Sequence, residues 1–186
     1  MCDNDSNGSI ERPNFFVNQL LTADDLKTLV DYFRNKHRLH NKYLHGYGIV
    51  FGLEVSVTEN NHSVVINPGL ALDCEGNEIA VYNVIERALP QDKSSLYVVV
   101  EYHECKSESV PVFLDDCNSP ADNLNSSRIR ESYKIKYDEN KSWKDFKSRK
   151  LNTWKFEVAA GIPLALIKFR RGRWKVSHCF RRPLLE

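Results

Sequence analysis

The chain has 186 residues, 41% hydrophobic and 11% aromatic, enough for one domain with a buried core, and no apolar run is long enough to span a bilayer. Its start, Met1 to Arg12, is polar and acidic and lacks the basic and apolar blocks of a signal peptide. The five cysteines are scattered without a CxxC pair, so the expectation is a chain that begins in the cytoplasm with free thiols. A net charge of +1 conceals a split: residues 1–140 carry 13 Lys and Arg against 22 Asp and Glu, and residues 141–186 carry 13 against 3. Such a split fits either a basic tail lying on its own acidic body or an oriented contact with another subunit.

Residues 1–12 read as a disordered lead, and 13–46 as an apolar lead-in followed by an amphipathic helix. Thr22 has the chemistry of an N-cap, with Asp25 three residues on as a capping-box partner and Leu21 and Leu26 placed for a hydrophobic staple. Asp24, Asp25 and Asp31 fall in the first half of the helix, and Arg34, Lys36, Arg38 and Lys42 in the second, the order that suits the helix dipole. Leu26, Val30, Phe33, His37, His40 and Leu44 follow steps of four and three and define one apolar stripe. Gly46 and Gly48 end it.

From residue 47 to 186 the pattern is that of a β domain. Ile49, Phe51, Leu53, Val55 and Val57 alternate as in one half-buried strand. Ser63 to Ile66 is a second strand, and Leu70 to Leu72 with Ile79 to Val81 flank a hairpin tip at Asp73–Asn77. Leu96 to Tyr102 predicts a buried strand and Val110 to Leu114 a weaker one. Residues 115–127 read as a loop, and Ile129 to Tyr137 as a strand with one charged face. The 138–157 stretch reads as an insertion holding a short helix, and Leu164–Phe169 with Arg173–Val176 as a closing hairpin. Many short antiparallel strands with frequent turns predict a mostly β fold, a sandwich or barrel, led by one long helix.

The residues able to carry chemistry do not form a complete site in the sequence. His37, His40 and His45 share spacing for a metal, but no glutamate stands beside them as in HExxH and no fourth ligand is evident, so seam histidines are the expectation. His103 and Cys105 lie on a strand without a base–orienter pair. Asp73, Glu75 and Glu78 lack EF-hand spacing. Arg170, Arg171, Arg173 and Trp174 interleave charge and aromatic area; the acidic body argues for a protein contact there and against nucleic acid. No catalytic residue, metal or cofactor is assigned.

The run Arg12-Pro13-Asn14-Phe15-Phe16 through Gln19-Leu20-Leu21-Thr22-Ala23-Asp24-Asp25-Leu26 resembles the opening of a family of proteins found with phage-tail-like contractile injection systems. Arg38-Leu39-His40-Asn41-Lys42-Tyr43-Leu44-His45-Gly46-Tyr47-Gly48-Ile49-Val50-Phe51-Gly52-Leu53 is similar to that family's most characteristic run. The segments from Asn67-Pro68-Gly69 to Glu78-Ile79, from Ser127 to Tyr133 and from Ile162 to Ala165 match later ones. The resemblance implies a baseplate-associated structural subunit. It would assemble in the cytoplasm in multiple copies and contact other baseplate or tail subunits, with no membrane insertion. Phe33, His37, His40, Arg170, Arg171, Arg173 and Trp174 are the expected assembly contacts. The alternatives are a glycan- or surface-binding β module on such a particle, or a small metal-dependent hydrolase built on the histidines.

Overall fold

The computed structural model describes residues 10–90, 92–111, 124–139 and 161–185. The fold is mostly β, with one N-terminal helix, α1 (Ala23–His40), closed by a single π turn (Asn41–His45). Ten strands follow: β1 (Gly48–Gly52), β2 (Val55–Val57), β3 (Ser63–Ile66), β4 (Gly69–Leu72), β5 (Glu78–Val81), β6 (Ile85–Ala88), β7 (Ser95–Pro111), β8 (Leu124–Asp138), β9 (Ile162–Arg170) and β10 (Arg173–Val176). They form three antiparallel sheets in the orders β1-β4-β5, β2-β3-β6 and β10-β9-β7-β8.

All three sheets contribute to one core. Ile49 and Ile79 come from the first sheet, Val64 and Ile66 from the second, and Val98, Val100, Leu164 and Ile167 from the third. The period of two along β9 would send Leu164 and Ile167 to opposite faces. A register shift between Val98 and Val99 in the β7–β9 pairing inserts one residue, so both reach the core.

The expected single strand from Ile49 to Val57 is two strands in two sheets. Gly52 and Leu53 both take positive φ, 65° and 58°, which turns the chain from β1 into β2. Phe51 consequently points to solvent while Leu53 is fully buried. A Cβ at Gly52 would collide with the Pro68 carbonyl oxygen across the β1–β4 pair, so that site requires glycine for space as well as for φ.

The β4–β5 hairpin and the β9–β10 hairpin stand where the alternation places them. The strands expected at Leu96–Tyr102 and Val110–Leu114 are one element, β7, in which Glu101 to Pro111 continues as a ribbon paired with β8. β8 begins at Leu124, so the last residues of the expected 115–127 loop are strand. β6 has no counterpart in the alternation pattern. The short helix expected within 142–154 and most of the 138–157 insertion lie outside the described residues. No helix among the described residues is long and apolar enough to cross a membrane.

Candidate assembly surface

α1 begins where its sequence directs. Thr22 is extended (φ −104°, ψ 164°), and its Oγ1 accepts the Asp25 N–H at 3.2 Å. The Thr22 N–H and hydroxyl donate to the Asp25 carboxylate at 2.9 and 2.7 Å. The aspartate completes the capping box, and the Thr22 hydroxyl followed by the Thr22 N–H holds the Asp25 carboxyl below its ordinary range.

The helix rests on the β body through polar groups. Glu104 on β7 receives the Tyr102 hydroxyl at 3.0 Å and faces Arg34 and Arg38 at 3.8 and 3.7 Å. Arg34 also pairs with Asp31 at 2.9 Å. Burial first, and then its bond to Glu104, pushes the Tyr102 hydroxyl well above the usual phenol range. His37 Nε2 lies 3.4 Å from Glu78, and the buried Asn41 donates to the Gly76 carbonyl at 3.1 Å and to Glu78 at 3.3 Å. Gly76 sits at φ 87° with the Arg38 carbonyl packed against its Cα; a side chain there would displace the helix.

The tip that meets the helix is rigid for local reasons. Buried Asp73 accepts the N–H groups of Glu75 and Asn77 at 2.9 and 2.8 Å and the Asn77 side-chain amide at 2.7 Å. These bonds satisfy its carboxylate, and the sequence reading of this cluster as a solvated tip misses that Asp73 and Asn77 are buried.

The apolar stripe is turned away from these contacts. No residue of α1 is buried; Leu26, Val30 and Phe33 are 52%, 63% and 62% exposed. The lead-in residues Phe16, Val17 and Leu20 are also exposed. The helix therefore does not use its stripe to dock on its own sheets. His37 and His40 lie on this surface, both exposed, and His40 is drawn to His45, with Nε2 atoms 3.2 Å apart. No group of three or more His, Cys, Asp or Glu side chains is gathered as a metal site among the described residues.

The arginine hairpin lies on another part of the chain. Arg171 and Gly172 both have positive φ, 53° and 74°, and make the tight two-residue turn between β9 and β10. Arg170, Arg171 and Arg173 are exposed, without an ion-pair partner among the described residues. Trp174, expected at a contact, is instead 6% exposed in the chain's own core. Its backbone is held by the Asn61 side chain, which accepts from the Trp174 N–H and donates to the Trp174 carbonyl at 3.1 Å, and its ring packs on Phe169. Alternation predicts this burial, since Trp174 and Val176 share a face while Arg173 and Lys175 share the other.

The extreme tail resolves part of the charge split internally. Leu184 bridges Ile49 in parallel, the Ile49 N–H donates to the Pro183 carbonyl at 2.7 Å, and the Leu185 N–H donates to the Ile49 carbonyl at 2.8 Å. Arg182 reaches the Gly52 carbonyl and lies 3.3 Å from Glu54. The tail end thus lies on its own acidic body, while the hairpin arginines do not.

No family model and no curated protein sequence matches the chain. Its fold is shared with solved structures from the type VI secretion baseplate. It is similar to a chain of the TssK-TssF-TssG baseplate subcomplex, with a TM-score of 0.54 and 14% identity, over 95% of this chain and 62% of that one. A chain of the type VI secretion baseplate complex gives a TM-score of 0.53 at 12% identity, over 95% and 60%. The crystal structure of TssK gives 0.52 at 11% identity, over 91% and 41%. The chain therefore spans less than two thirds of the length of each of these proteins.

Proposed function

We propose that this chain is a baseplate-associated structural subunit of a contractile, phage-tail-like injection particle, assembled in the cytoplasm and held in the particle, in several copies, by contacts with other baseplate or tail subunits. The observation that carries the reading is the exposed stripe of α1. A helix fixed to its body by charged and polar groups, with aliphatic and aromatic side chains left in water, has the form of a surface made for another protein. The fold shared with type VI baseplate chains supports the same class of role. Arg170, Arg171 and Arg173 form the second contact, where unpaired positive charge orients an acidic neighbour. The subunit works by holding its neighbours, without cofactor, metal or catalytic step, and its partners are protein surfaces and not nucleic acid or lipid.

The test is occupancy in purified particles. Phe33→Asp, and separately the triple replacement of Arg170, Arg171 and Arg173 by glutamate, should each leave the melting curve of the free subunit nearly unchanged, as surface changes do. Each should deplete the subunit from particles. Normal occupancy for both variants would overturn the reading.

A further inference from the structure

We infer that the stripe of α1 is covered by the same helix of a second copy, running antiparallel to it. This deepens the assembly reading and rests on it in taking the stripe as a contact. The stripe advances in steps of four and three through Leu26, Val30, Phe33, His37, His40 and Leu44, the narrow seam along which two helices pack. A wider apolar face would fit a sheet; this one fits a helix.

The charges fix the direction. Asp24, Asp25 and Asp31 lie in the first half and Arg34, Lys36, Arg38 and Lys42 in the second, with Lys27 the single exception. Parallel copies would set acidic half beside acidic half and basic beside basic. Antiparallel copies set each acidic half beside a basic one, and the same surface serves both partners, as a two-fold axis requires. With that axis at Asn35, Leu26 meets Leu44 of the second copy, Val30 meets His40, and Phe33 meets His37.

The same orientation gives the lead-in a place. Beyond Thr22 it runs past the other copy's helix end, where Leu44, Val50 and Phe51 are exposed. Phe16, Val17 and Leu20, also exposed, supply the facing apolar area. They extend the seam toward the about 800 Å² per partner that stable interfaces bury. In a parallel pair the two lead-ins would meet each other and leave Phe51 uncovered.

The experiment uses the full chain. Sedimentation equilibrium of the free protein should give a reversible dimer, weakened roughly thirtyfold or more by Phe33→Asp with the melting curve kept. Direction is read by oxidative cross-linking, with Cys2, Cys105, Cys117 and Cys179 replaced by serine. Leu26→Cys mixed with Leu44→Cys should cross-link, and neither alone should. Cross-linking of Leu26→Cys with itself would overturn the antiparallel pairing, as would a trimer. A wild-type monomer at the highest soluble concentration would overturn pairing altogether. If Phe33→Asp is nevertheless lost from particles, the stripe serves a different subunit and the assembly reading stands without this one.

Discussion

Ile49, Leu53, Val64 and Ile66 have no exposed surface, whereas Val30 and Phe33 are more than 60% exposed. The two sets have the same chemistry, and only their position in the fold separates them. The body closes its core with three sheets, and nothing is left for the helix to cover. α1 is instead attached by Glu104, Glu78, Asn41 and a glycine that lets its backbone approach. The difference teaches that amphipathic spacing in this chain marks two unrelated things: a strand face that makes the fold and a helix face that the fold does not need. Polar anchoring can hold a helix in place while leaving its apolar side free, and that is the arrangement a subunit with an external contact requires.

The comparison is tested most severely in the body. Leu164 is fully buried between sheets, so Leu164→Ala should cost about 2–5 kcal/mol through lost burial and the cavity left behind. Urea unfolding followed by circular dichroism measures it through the midpoint at constant slope. A cost below about 1 kcal/mol would show that the body is not the close-packed part of the molecule.

Gly76→Ala comes next, because it strikes the joint between the two regions. The new methyl would meet the Arg38 carbonyl, and alanine at φ 87° adds strain, together about 1–3 kcal/mol. The loss should be accompanied by faster amide exchange across α1, while β7 and β9 keep their protection. Uniform loss of protection would mean that helix and body unfold as one unit.

Glu104→Gln should be milder, about 0.5–1 kcal/mol, since the arginine pairs are long and partly solvated. Glutamine still accepts from the Tyr102 hydroxyl, so only the charge facing Arg34 and Arg38 is lost. The effect should shrink in high salt, which a salt series of melting curves reads directly.

The helix was legible from its start signal to its stripe, because Thr22, Asp25 and the four-three spacing are local facts that packing does not alter. Its exposure was not. Periodicity reports which residues share a face and says nothing of what lies opposite, so Phe33 reads alike as core or contact. The β4–β5 and β9–β10 hairpins were legible from turn residues, and the fold class followed. The division of Ile49–Val57 was hidden because its alternation continues unbroken through the turn at Gly52 and Leu53, where the second residue at positive φ is a leucine, an uncommon choice. Of the assembly candidates, the arginines and the stripe face solvent, and Trp174 does not. Its basic neighbours drew attention to the hairpin, while the partner that buries it, Asn61, is more than a hundred residues away in sequence. The polar clamp at Glu104 joins residues that no local pattern connects.

Thr22→Ala should act on the helix alone. It removes a cap and its return bond to Asp25, which raises the opening of the first turns by about fivefold without moving the global midpoint. Acid should act on the same device. The Asp25 carboxyl is held below its unfolded value, so its contribution is present above the ordinary aspartate range and fades as pH falls through the depressed folded value. Exchange at the amides of residues 24–28 should therefore rise in acid in the wild type and vary less in the variant.

The smallest expected effect on the free chain belongs to Phe33→Ala, although it deletes the largest side chain of the stripe. Had this ring been part of a close-packed core, its loss would cost about 3–5 kcal/mol. Being 62% exposed, with an edge contact to Tyr32 on the same helix, it has little burial to lose. The change in the free subunit should stay within about 0.5 kcal/mol, and alanine's better helix propensity offsets part of even that. The measurement must be made at a concentration low enough to keep chains apart, since association would add its own stabilisation to the wild type. A dilution series of melting curves for both proteins separates the two cases. The curves should coincide when dilute and diverge as concentration rises, with only the wild type gaining stability. A large gap that persists on dilution would place Phe33 in the core of its own chain and remove the contrast between helix and body.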